Sequence, residues 1–340
     1  MRAIKYTIII CIVTVLAIVG CARGTGETEL THDEVVAINE RVLEKAIGQP
    51  DSALMIIEGL RAGDYSVIDT TGMSLQWRGP VPDYRCDYLR AKVYAQSLEG
   101  MWLDSAIIIG ERLLTTDVAR EDLAYRQDVL EMLINACRQH RDYELAIQWL
   151  AQLIDLCHQN GDETEALRTE ADLGLMLSGI GHADEGLAKI DSVLTLLSGK
   201  RQFNELDATI IALKRKVNVL KARKAPPSAP EGATIDPAFK TNEAPSGAVG
   251  GASAIISAAQ QMLDLLADYE LHPDEYHDGT YREPPEHLRP GYIDFYRAQA
   301  YMFMTEAYAS QSEKGKVNSE KFLSKESVAR NAAANCFMSP

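Results

Sequence analysis

Positive charge is in short supply in this 340-residue chain: 34 Lys and Arg stand against 49 Asp and Glu, a formal net charge of -15. An acidic surface repels phosphate backbones, which argues against nucleic acid as a partner. Aromatic residues are 7% of the chain and only three are Trp, which leaves little for stacking on sugars. Of the six cysteines, Cys11 and Cys21 belong to the apolar N-terminus. Cys86, Cys137, Cys157 and Cys336 fit neither a metal-ligand spacing nor a disulfide-dense scaffold. Cys137 and Cys157 fall on successive helices of one hairpin, offset roughly 18 Å along its axis at about 1.5 Å per residue. A disulfide needs Cα atoms within about 7 Å, so both thiols are expected free.

No stretch alternates polar and apolar residues with period two, so no sheet is expected. Catalytic signatures are missing as well: there is no nucleophile elbow, phosphate loop, paired-His zinc helix or calcium loop. The loop "HPDEYHDG" offers His272, Asp274, Glu275, His277 and Asp278, but at no ligand-template spacing. The expectation is a non-enzymatic protein without cofactor or metal.

What is present starts with "MRAIKYTIIICIVTVLAIVGCARG". Arg2 and Lys5 precede an apolar run over residues 7–20, shorter than the roughly 20 apolar residues of a comfortable membrane span. A basic start, a short apolar core and small residues at its end read as a secretory signal. The end, "IVGC", resembles the bacterial lipobox. That resemblance implies removal of residues 1–20 and lipidation of Cys21; the alternative is an uncleaved N-terminal anchor. Both place the remainder outside the cytoplasm, in the periplasm or at the outer membrane. Residues 21–31, small and acidic, read as a tether.

From there helical spacing dominates. Helices are expected over 33–47, 51–61, 83–98, 102–114, 122–139, 143–157, 163–179, 184–198, 203–220, 253–271, 292–310 and 319–335. Residues 63–82 read as a long loop with a short extended piece. Phe203, Leu206, Ile210, Leu213, Val217 and Leu220 alternate by three and four, one buried face. The cations Lys214, Arg215, Lys216, Lys221, Arg223 and Lys224 then read as a solvated, dipole-favoured helix end. Pro, Gly, Ala and Ser dominate residues 223–252, the composition of a disordered insertion. Tyr292, Phe295, Tyr296, Tyr301, Phe303 and Tyr308 read as core and edge packing. The expected division is a repeat region over 32–222, the insertion, and C-terminal hairpins over 253–340.

A small residue precedes a larger apolar one at Ala106, Ala146 and Gly186, each 40 residues from the next; Ala53 shows the same pattern off that period. A fixed period of helical hairpins is the signature of an α-solenoid. In "LGLMLSGIGHADEGL", glycines at 174, 179, 181 and 186 each cost about 1 kcal/mol relative to alanine inside a helix. Gly174 and Gly186 are expected where two helices cross, with Leu173, Leu177 and Ile190 filling the seam. Gly181 is expected in the turn, where positive φ is needed. Leu173, Gly174, Leu177, Gly181 and Gly186, in that order and spacing, resemble the tetratricopeptide repeat. Leu133, Cys137, Tyr143 and Ala146 follow the pattern with Ile134 at a position that normally takes a small residue, and Ala91 and Tyr94 follow it with three extra residues before Ala106. The 40-residue period exceeds the family's usual repeat, so longer helices or loops are implied.

The resemblance implies an all-α solenoid whose first helices line a concave surface. Leu130, Leu133, Ile134 and Cys137 form a core face, which turns Asp128, Glu131, Asn135 and Arg138 to another side, and Arg168 is the matching position one repeat later. One reading is a groove for an extended peptide or partner helix; the other is a solvated helix face. The segment "PDSALMIIEGL" adds a narrower resemblance to extracytoplasmic repeat segments of Gram-negative lipoproteins and membrane-anchored regulators. The expected function is a lipid-anchored envelope scaffold that binds protein or peptide partners. The alternatives are a nutrient- or glycan-binding lipoprotein using Trp77, Trp102 or Trp149, and a truncated sensor segment of a membrane-anchored regulator.

Overall fold

The computed structural model describes residues 31–68, 79–96, 100–224, 247–276 and 290–312. Among these residues the chain is all-helical, with no strand, as the lack of period-two alternation requires. No described helix is long and apolar enough to cross a membrane. The apolar N-terminus with Cys21, Trp77, His277, Asp278, the expected helix over 319–335 and Cys336 lie outside the described residues. The chain divides into two compact units, Met1–Arg120 and Glu121–Pro340.

The first unit opens at Thr31, the end of the expected tether and the cap of α1 (His32–Ala46). The Thr31 hydroxyl accepts from the Glu34 amide at 3.3 Å, and the Glu34 carboxylate accepts from the Thr31 amide at 2.9 Å. Two otherwise orphaned amides are satisfied reciprocally. Pro50 and Asp51 start α2 (Pro50–Arg61), where a missing N–H is harmless and a carboxylate meets the helix dipole. The loop beyond holds a 3-10 turn at Tyr65–Val67 where an extended piece was expected. Then come α3 (Asp83–Gln96), α4 (Gly100–Leu114) and the short α5 (Asp117–Glu121), which no sequence pattern announced. Ile38, Val42, Ile57, Leu60, Leu89 and Val93 form one core from α1, α2 and α3. Ala53 and Ala106 are fully buried, as small residues at helix crossings should be.

The second unit contains α6 (Leu123–His140), α7 (Tyr143–Asn160), α8 (Glu163–Gly179), α9 (Ala183–Leu197), α10 (Phe203–Lys224), α11 (Gly247–Leu271) and α12 (Pro290–Ser312). The first five begin every twenty residues, so the 40-residue period is two helices and their turns. Those turns share one chemistry. The amides of Asp142, Asp162 and His182 donate to the carbonyls of Cys137, Cys157 and Leu177, each at 2.9 Å. Arg141, Gly161 and Gly181 supply the left-handed residue, at φ 62°, 73° and 93°. This double closure satisfies the last carbonyls of the helix. Asp142 and Asp162 then cap the next helix through the amides of Leu145 and Glu165, at 3.1 and 3.0 Å. One two-residue turn therefore both stops a helix and starts its successor. Cys137 and Cys157, at corresponding places on α6 and α7, are buried and not joined in a disulfide.

Gly174 and Gly186 meet where α8 crosses α9. A Cβ on Gly174 would stand 2.7 Å from the Gly186 carbonyl oxygen and from Ile190 Cγ1. The seam is filled by Ile190 with Val193 and Leu197; Leu173 and Leu177, expected to share that task, are only half-buried. Gly179 serves a different contact, since its missing side chain admits the Tyr143 ring of α7, 2.7 Å from the Cβ position.

The single buried face expected on α10 is in fact two. Phe203, Leu206, Ile210, Leu213, Val217 and Leu220 join a core with α11 and α12. Ala208, Ala212 and Val219 join the core of α8 and α9. Helix α10 also runs four residues past the expected end, and α11 begins at Gly247 rather than near 253. Residues 225–246 of the expected insertion lie outside the described residues.

Candidate functional site

Helix α6 buries Val129, Leu130, Met132, Leu133, Ile134, Ala136 and Cys137. Only a narrow stripe remains outward, and it holds Asp128, Glu131, Asn135 and the half-buried Arg138. Glu131, Asn135 and Arg138 line a cleft of about 250 Å³ together with Arg168. Four of the five residues expected to form a groove therefore converge. Asp128, one turn earlier on α6, lines neither this cleft nor the adjoining one.

The remaining walls come from Ile134, read in the sequence as core, and from residues that periodicity did not single out. Ile134, Leu150 and Leu153 give an apolar floor from α6 and α7, Glu165, Thr169 and Asp172 come from α8, and Arg215 from α10. A smaller cleft of about 140 Å³ adjoins it, lined by Asp162, Thr164, Asn204 and Asp207. Glu165 and Arg168 line both, so their 3.3 Å ion pair forms the ridge between the two depressions. The lining of both clefts comes mainly from α6, α8 and α10, every second helix of the unit.

Electrostatics inside the cleft are uneven. Burial pushes the Glu165 carboxyl up to about 7, and Glu131 and Asp162 add to it, against the pull of Arg168. Burial works against the charge on Arg168, but Glu165, Asp207, Asp172 and Glu131 outweigh it and hold its pKa above the ordinary value. Arg138 is pushed down, first by burial and then by the Arg215 guanidinium. Its guanidinium donates to Asn135 Oδ1 at 2.7 Å. Arg215 itself pairs with Asp172. The arrangement offers guanidinium donors and carboxylate acceptors above a strip of leucine. That combination can hydrogen-bond a polar backbone and pair with charged side chains.

The basic run on α10 departs from the sequence reading. Rather than ending in a solvated tail, it ties neighbouring helices together. Arg215 reaches Asp172 on α8, Lys216 reaches Asp191 on α9 at 2.7 Å, Arg223 reaches Asp184 on α9 at 3.0 Å, and Lys221 reaches Glu306 on α12. The pairs 184 with 223 and 191 with 216 run in opposite senses, as antiparallel packing of α9 and α10 requires.

A larger cavity of about 650 Å³ lies among α9, α10 and α11. Its charged lining is already neutralised within the fold: Lys216 by Asp191, Lys200 by Glu205 at 3.5 Å, and Arg201 by Asp268 and Glu275. Asp268 also accepts from the Tyr276 hydroxyl at 2.6 Å and lies 3.2 Å from His272 Nδ1. Of the acidic-loop residues, Glu275 is thus engaged in an ion pair and His272 is within hydrogen-bond distance of Asp268. Among the described residues no group of three or more His, Cys, Asp and Glu could hold a metal ion. Of the C-terminal aromatics, Tyr296, Phe303 and Tyr308 are buried, whereas Phe295 is 43% exposed. Trp102 packs edge-on against Tyr94 with ring centroids 4.8 Å apart, and Trp149 is half-buried. No protein-family model matches the chain, and no curated protein matches it.

Proposed function

We propose that this chain is a non-catalytic binding scaffold, a tetratricopeptide-like α-solenoid that takes an extended peptide or a partner helix in the cleft between α6 and α8. The observation that carries this reading is the convergence of Glu131, Asn135, Arg138 and Arg168 on one depression floored by Leu150 and Leu153. Arg168 comes from α8, so the lining is one that a single helix face could not supply alone. The twenty-residue spacing of helix starts and the repeated turn chemistry support the solenoid arrangement. The "IVGC" sequence supports a lipid anchor at Cys21 and a place in the cell envelope, periplasmic or at the outer membrane. Stacking on sugars is less well supported, because the Trp102 ring faces Tyr94 and Trp149 is half-buried.

The experiment is site-specific photocrosslinking in intact envelopes, with a photoreactive residue at Asn135 and, for comparison, at the exposed Gln148 of α7. A discrete protein adduct from Asn135 and none from Gln148 is expected. Indistinguishable patterns from the two positions would defeat the groove. Labelling with a fatty acid, lost in Cys21→Ala, tests the anchor separately.

A further inference from the structure

The larger of the two adjoining clefts is balanced in charge and the smaller is not. Glu131, Glu165 and Asp172 meet Arg138, Arg168 and Arg215 in the larger, but Arg138 and Arg215 line only that one. The smaller, of about 140 Å³, gathers the carboxylates of Asp162, Glu165 and the buried Asp207 around Arg168 alone. Arg168 pairs with Glu165 at 3.3 Å, and Asp162 accepts from the Glu165 amide at 3.0 Å. One guanidinium thus faces three carboxylates, and like charges so confined repel. Burial, with Glu131 and Asp162 adding to it against the pull of Arg168, pushes the Glu165 carboxyl up to about 7. Thr169, next to Arg168 in the chain, also lacks a partner. It is only 3% exposed and lines the larger cleft. The hydroxyls of Thr195, Thr209 and Thr305 donate to the carbonyl four residues back in their helices. That of Thr169 has no hydrogen-bond partner among the described residues. A buried hydroxyl left so costs free energy that a polar group of a ligand recovers.

We propose that the smaller cleft receives a lysine or arginine side chain of a protein partner, whose backbone meets the Thr169 hydroxyl and crosses the Ile134–Leu150–Leu153 floor of the larger cleft. The inference rests on the peptide-groove reading and adds the partner's chemistry. A peptide is favoured over a free polyamine because the site joins an apolar floor and a hydroxyl to its carboxylates. An anionic membrane or a nucleic acid would be repelled by the same carboxylates and by the net charge of -15.

The test uses the full chain and blocked fluorescent hexapeptides, each a pair of central leucines flanked by lysines, by glutamines or by glutamates, read by anisotropy. The lysine peptide is expected to bind, more weakly as salt rises. The glutamine peptide should bind about tenfold more weakly or worse, and the glutamate peptide not at all. Glu165→Gln with Asp207→Asn should weaken the lysine peptide about tenfold, and Glu165→Gln alone about threefold. Glu144→Gln with Asp155→Asn, exposed on α7 and lining neither cleft, removes the same charge and should leave it unchanged. Thr169→Val should weaken it about threefold with no loss of melting temperature, because a methyl replaces an unpartnered hydroxyl. Thermal melts confirm folding, and Glu165→Gln decides alone should the cleft pair not fold. Equal binding of the lysine and glutamine peptides, binding of neither, equal losses in the cleft and α7 variants, or an unchanged affinity in Thr169→Val overturns the inference. So does spermidine bound as tightly as the lysine peptide. The Asn135 crosslink separates the two levels: a discrete partner captured equally by wild type and Glu165→Gln leaves the groove standing and removes only its basic specificity.

Discussion

Gly174 and Gly186 face each other across the α8–α9 crossing, each with its carbonyl oxygen where the other's side chain would be. Two helices can approach this closely only when neither residue carries a Cβ. The packing of Ile190, Val193 and Leu197 that follows outweighs the local helix cost of the glycines. Gly186→Ala should therefore lose about 1–3 kcal/mol, because the new methyl meets backbone that cannot rotate aside. This loss comes in spite of about 1 kcal/mol gained in helix propensity. Gly179→Ala should lose less, since the obstructing Tyr143 ring can swing. Urea midpoints decide it; a midpoint for Gly186→Ala at or above wild type would mean that the helices do not cross there.

Arg141 occupies the turn position that Gly161 and Gly181 hold in the next two turns, with the same left-handed backbone and the same amide-to-carbonyl closure. A side chain in that region costs about 1 kcal/mol or somewhat more. Arg141→Gly should raise stability by about 1 kcal/mol, seen as a higher melting temperature. A drop would show that the arginine side chain contributes something the backbone does not reveal.

Glu165 makes stability depend on pH. Its carboxyl moves from the ordinary 4.5 to about 7 in the fold, chiefly through burial. Between those values the folded state holds a proton that the unfolded state has released. Stability accordingly falls as pH rises through that interval and levels off above it, by up to about 3 kcal/mol in all. Glu165→Gln should remove this slope, leaving a variant more stable than wild type at pH 8 and no better at pH 4. Chemical denaturation at the two pH values checks the sign; parallel curves would place Glu165 in ordinary solvent contact.

The cross-helix ion pairs of α10 should not contribute equally. Arg215 and Asp172 are 17% and 25% exposed, whereas Arg223 and Asp184 are 56% and 81% exposed. Arg215→Gln leaves a sheltered carboxylate without its partner and should cost about 2 kcal/mol. Arg223→Gln, screened by water, should cost less than about 0.5 kcal/mol. Equal losses would show that burial does not set the difference.

The positions of the described helices other than α5, the turn at Gly181, the small residues at 106, 146, 174 and 186, and the long stripe of α10 were legible in the chain. Each is written at intervals of a few residues, on the scale where helical geometry and turn chemistry act. Glu131, Asn135 and Arg138 were legible for the same reason, since burying one side of α6 automatically presents the other, and Arg168 was reached as the matching position one repeat later. Asp172, Glu165 and Arg215 were not, and neither was the second buried face of α10. Arg215 lies 43 residues from Asp172 in sequence and pairs with it only after α8 and α10 have packed. A run of cations reads alike whether it meets water or carboxylates on the helices beside it. Local periodicity determined which segments become helices; the packing of those helices decided which charges are paired, which carboxyl is sheltered, and where a cleft opens.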